Sequence, residues 1–150
     1  MSKKHNKIII LLAVIAGFLL WLFFRPMKII AVHHMEYYSI ILVEDYPFTD
    51  KGKIEWWLKN KSMLKAKYAV PHPEADGSYN VILWDFDEGY KEDDGYDSLC
   101  FDDMKPPLNC VDKNALMTIS RDKYSVTDFT VDDGVYVLKK NGLIVKTKSD

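Results

Sequence analysis

The first pattern in the chain is a run with no alternation: residues 8–24, Ile8 to Phe24, are seventeen consecutive apolar or glycine positions without a charge, bounded by Lys7 and by Arg25-Pro26. As a helix such a run rises roughly 26 Å, a little short of a hydrocarbon core of about 30 Å. Lys7 and Arg25 cover the deficit by snorkelling to the two interfaces, and Trp21 suits the outer one. The pattern predicts a basic tail over 1–7 and a transmembrane anchor over 8–25, which gives the chain a bilayer as its first partner. A cleaved signal peptide is the competing reading. Its only small-residue cleavage site, "VIA" at 14–16, falls inside the run and would leave Phe18 to Phe24 in a greasy new terminus.

After Pro26 the pattern shortens. "KIIAVH" (28–33) and "YYSIILVEDY" (37–46) read as strands, rich in Ile, Val and Tyr. "FTDKGKIEWWLKNKSMLKAKY" then turns helical: Thr49 or Asp50 can cap it, and Ile54, Trp57, Leu58, Leu64 and Tyr68 share one face. An unbroken helix would also place Lys61 and Lys65 on that stripe, so a break is expected near 60–62, with a stop before Val70. Four further strands are predicted at 79–86, 97–102, 115–120 and 128–131. "GVYVLKKNGLIVKTK" closes the chain as a hairpin, turned tightly at Asn141-Gly142 with positive φ. The fold class is α+β: one N-terminal transmembrane helix, then a small domain over 26–150 with a mostly antiparallel sheet and one helical segment.

Charge narrows the partners of that domain. Residues 26–150 hold 16 basic and all 22 acidic residues, a formal charge of −6, which disfavours nucleic acid. No second run of spanning length follows the first, so the domain stays in one aqueous compartment. Lys3, Lys4 and Lys7 before the span outnumber Arg25 and Lys28 after it, which favours a cytosolic amino terminus and a domain outside the cytosol. The only two cysteines, Cys100 and Cys110, therefore face an oxidising space. A disulfide is expected there, worth about 2.5 to 3 kcal/mol by loop closure. Zinc would need more ligands at closer spacing, and a redox pair would usually leave two residues between the thiols.

Among candidate sites, the segment from Asp85 to Asp103 is the most charged. It carries Asp85, Asp87, Glu88, Asp93, Asp94 and Asp97 among nine acids, against Lys91 alone. A calcium loop of EF-hand type does not fit: with Gly95 at the glycine position, Tyr90 falls at the first ligand and Phe101 at the twelfth. What remains is a solvated loop or a surface for a basic protein partner. Trp56 is either a core residue or an aromatic anchor of the same interface. His33 and His34 would point to opposite faces of a strand and could not share a metal. No motif calls for a cofactor, a metal or a catalytic residue, and the chain reads as a non-enzyme.

The stretches "RPMKIIAVH", "YPFTDKGKIEWWLKNKSMLKAKY", "WDFDEGYKEDDGYDSLCFDDMK", "NCVDKNALM" and "KNGLIVK" resemble a family of enterobacterial membrane proteins known as domain of unknown function 943. The resemblance spans nearly the whole chain, anchor included. It implies a bacterial inner membrane and a periplasmic domain; it implies no activity and transfers no functional residue. Two functions are consistent with the reading. One is a membrane-tethered immunity protein that neutralises a delivered toxin, a basic one where the acidic segment is the contact surface. The other is a structural or sensory envelope component that binds cations or cell-wall material.

Overall fold

A computed structural model describes residues 3–148. The first helix, α1 (Lys3–Phe24), takes in much of the basic tail as well as the apolar run, because "KKHNK" holds no residue that breaks a helix. Its mean hydropathy reaches 2.7, and none of that stretch is buried against the rest of the protein, so it is long and apolar enough to cross a membrane. Arg25 closes it. The Arg25 N–H donates to the Trp21 carbonyl at 3.0 Å, its guanidinium pairs with Asp45 at 3.0 Å, and the Phe48 ring meets Phe23 edge-on.

The domain then runs β1 (Lys28–His34), β2 (Ser39–Glu44), α2 (Asp50–Tyr68), β3 (Tyr79–Asp85), β4 (Ser98–Cys100), β5 (Cys110–Asp112), β6 (Ala115–Arg121), β7 (Thr127–Val131), β8 (Gly134–Leu138) and β9 (Ile144–Lys146). Seven strands make one sheet in the order β1-β2-β3-β6-β7-β8-β9, and β4 and β5 pair separately. Every pair is antiparallel except β2 with β3. That pair is parallel because α2 carries the chain back across the sheet, the long crossover that parallel neighbours require. The α+β class and the mostly antiparallel sheet are as the sequence predicts.

Strand β2 organises the layers. Its apolar run is buried at every position from Ser39 to Val43, since successive side chains point to opposite faces and both faces are covered. On one face Ile41 and Val43 pack with Ile54, Trp57 and Leu64 of α2 and with Val81, Leu83, Met117, Ile119 and Phe129 of the neighbouring strands. On the other, Ile40 and Leu42 pack with Trp84, Phe101 and Val111, so the small β4–β5 sheet lies over the large one as a flap.

Thr49 caps α2 from an extended backbone, its hydroxyl accepting the Gly52 N–H at 3.0 Å. At the other end Ala69 adopts the left-handed conformation, φ 54°, and its N–H returns to the Lys65 carbonyl. The break expected at 60–62 does not occur. Lys61 and Lys65 are exposed where the C-terminal half of the helix borders a groove, so their heads stay in water and the helix has no reason to yield. Other differences are at edges. Strand β4 is shorter than 97–102, β5 carries too few residues to show a pattern, and the last hairpin turns through Lys139 to Leu143 with only Gly142 at positive φ. There Gly142 N–H closes a turn on the Lys139 carbonyl, a longer connection than Asn141-Gly142 alone would make.

Gly52 gives a test of this packing. Alanine normally gains about 0.8 to 1 kcal/mol over glycine inside a helix. Here an added Cβ would lie 2.8 Å from Pro47 Cβ and 2.9 Å from Thr49 Oγ1. Gly52→Ala is therefore expected to lower stability in urea by about 1 kcal/mol or more. A stabilised variant would show that Pro47 is free to move.

Candidate functional site

The flap that carries the acidic segment is held at three points. In its ladder Cys100 stands opposite Cys110, with the sulfurs at bonding distance, 2.07 Å. The backbone of Lys91 pairs with Cys110 in both directions, at 2.7 and 3.1 Å. The Lys91 ammonium lies between Asp94, at 2.8 Å, and Asp112. Hydrogen bonds to those two carboxylates raise the Lys91 pKa. Lys91, then the Tyr96 N–H and the Ser98 hydroxyl, lower that of Asp94 to about 2. Lys91 and Asp94 are thus both charged across the ordinary pH range.

The third point is a side-chain stack under the flap. Phe101 is fully buried, and its ring lies on that of His33 with centroids 3.8 Å apart and planes 14° from parallel. His33 Nδ1–H donates to both carboxylate oxygens of Asp103 at 2.8 Å. The Tyr90 hydroxyl donates to His33 Nε2 at 2.8 Å. Burial first, and the Asp103 charge second, raise the Tyr90 pKa, which keeps that proton in place for the bond. His34 turns to the other face, bonded to Ser39 and to the Tyr68 carbonyl. The two histidines do not share a site, as strand geometry predicts.

The predicted contact residues separate on this scaffold. Asp85 is half-buried and accepts from the Tyr46 hydroxyl and the Asp87 N–H. Asp93 closes a turn on Gly95 N–H, and Asp97 is 3.2 Å from Lys113. Asp87 and Glu88 are exposed, as are Asp93, Asp94 and Asp97. Trp56 is half-buried against the core on the α2 side, the face of the sheet opposite the flap. It and the acidic residues therefore do not form one surface. A residue that the sequence reading passed over stands in the middle of the acids: Tyr96, 87% exposed. Its signal was the aromatic in "DDGYD", an apolar ring in a polar turn. Among the described residues no group of three or more His, Cys, Asp or Glu is gathered to hold a metal ion.

These features define a membrane protein with one candidate span and one α+β domain. The chain belongs to the family described as "Enterobacterial putative membrane protein", domain of unknown function 943, which matches residues 1–148. No curated protein and no solved structure matches it.

Proposed function

We propose that α1 spans the bacterial inner membrane once, with its amino terminus in the cytosol, and that the domain stands in the periplasm as a protein-binding module rather than an enzyme. Its most concrete task is that of an immunity protein, neutralising a basic toxin delivered to that space. The observation that supports this best is the mounting of the exposed acids. Glu88, Glu92, Asp93 and Asp97 are exposed in the same segment as the exposed Tyr96, on a flap clamped by Lys91 and closed at Cys100 and Cys110. A rigid acidic loop steers a basic partner and loses little entropy on binding it, and an exposed tyrosine is a common anchor. The basic residues ahead of the apolar run and the paired cysteines both support the orientation.

The test is co-expression with toxins encoded beside this chain, each directed to the periplasm. Wild type is expected to protect, and both cysteines should resist alkylation until reduced. Glu88→Gln with Glu92→Gln should slow association most at low salt. Tyr96→Ala should speed dissociation, costing on the order of 2 kcal/mol. Failure to protect against any such toxin would put the envelope component, binding cations or cell-wall material, in its place. Thiols that alkylate without reduction would overturn the orientation.

A further inference from the structure

A groove of about 610 Å³ opens on the α2 side of the sheet, between the C-terminal half of α2, the start of β3 and the end of β6. The lining residues include Trp57 and Tyr79, Ser125, and three cations, Lys61, Lys65 and Arg121. No acidic residue lines it, in a domain where acids outnumber bases 22 to 16. Among the described residues neither Lys61 nor Arg121 enters an ion pair. Lys65 donates to the Pro71 carbonyl at 3.2 Å, which holds its head at the wall and cancels no charge.

Two acids next in sequence to the lining residues accept from donors of their own turns. Asp76 accepts from the Ser78 N–H and hydroxyl. Asp122 accepts from the Tyr124 and Val126 N–H groups. Three positive side chains thus line one concavity of ligand size, with no acidic side chain among the lining residues, beside aromatic surface. We infer that this groove binds a small ligand bearing two or more anionic oxygen groups, phosphate or carboxylate. Arg121 supplies the forked donor pair, and Lys61 and Lys65 act as point charges.

Position excludes one source of such groups. Strands β2 and β3 are parallel, and Arg25 meets Asp45 just after β2 ends, so the groove at the start of β3 lies at the end of the sheet away from α1. A headgroup of the bilayer that holds α1 does not reach it. The ligand is a soluble anion or an anionic group of a structure beyond the membrane surface. It is also separate from the flap, which covers the opposite face of the sheet.

The experiment is calorimetric titration of the full chain, in uncharged detergent micelles at low salt, with sodium pyrophosphate and with a tri-glutamate peptide. Saturable one-to-one binding of at least one probe is expected, weakening as salt is raised. Lys61→Gln combined with Arg121→Gln should weaken it by about tenfold or more, while Lys105→Gln, outside the groove, leaves it unchanged. Tighter pyrophosphate assigns the groove to phosphate, tighter tri-glutamate to carboxylates. No saturable binding of either probe, an unchanged affinity in a double variant with wild-type circular dichroism, or an equal loss in Lys105→Gln would overturn the inference. Lys61 and Arg121 both lie outside the flap, so the loss expected in their double variant is independent of the toxin-binding test.

Discussion

Phe101→Ala is expected to cost about 3 to 5 kcal/mol of unfolding free energy. The ring is fully buried between the flap and the sheet and packs with Ile40, Leu42, Trp84 and Val111. It also braces His33, so its loss opens a cavity beside a buried imidazole whose bonds to Asp103 and Tyr90 depend on that position. Phe101→Leu should recover much of the loss, because it refills most of the volume. Urea denaturation followed by tryptophan fluorescence measures it. A change under about 1 kcal/mol would mean that the flap unfolds independently of the main sheet.

The second large effect is expected at the start of α2. Lys53 is 5% exposed, and its ammonium donates to Asp50 Oδ1 at 3.1 Å. The other Asp50 oxygen accepts the Asp133 N–H at 3.0 Å, so one carboxylate joins the helix to the β7–β8 turn. Asp50→Ala leaves a buried ammonium without its counter-charge, at a cost of about 3 to 5 kcal/mol. It also removes a negative charge from the helix start, a smaller loss of about 0.3 to 1 kcal/mol. Lys53→Met removes the charge instead of orphaning it and should cost far less. The double variant should be more stable than Asp50→Ala alone, and the thermodynamic cycle reads the coupling directly. If Asp50→Ala proves as mild as Lys53→Met, the ammonium has found water or another acid.

What could be read from the sequence depended on how local its cause is. The apolar helix α1 and the doubly buried β2 show as unbroken apolar runs, in β2 because burial on both faces leaves no polar alternation. The cap at Thr49 is local chemistry, and it held. The parallel partner of β2 could not be read, since nothing in "SIILV" says which strand lies beside it. Strand β5 is three residues long and exists through its pairing with β4, where Cys100 and Cys110 face each other. Lys61 and Lys65 misled because periodicity counts angles around a helix and does not know where the sheet below it stops. The candidate site was legible as composition, a row of acids around one lysine. Its division into clamp and free surface was not, because His33 meets Asp103 across seventy positions and Lys91 finds Asp112 only when the flap closes.

Arg25, Pro26 and Met27 alone separate α1 from β1, and Arg25 is already engaged with Asp45. A flexible leash lets a tethered domain sweep a radius that grows as about 5 to 6 Å times the square root of its length. This one has no slack. Seven-residue strands rise about 23 Å, so with α1 in a bilayer the whole domain stays within a few nanometres of the surface and turns only as the helix turns. It cannot search the space above it. Whatever it meets must come within those few nanometres of the membrane, where the frequency of encounter is set by diffusion to the surface and by the number of copies per unit area rather than by reach.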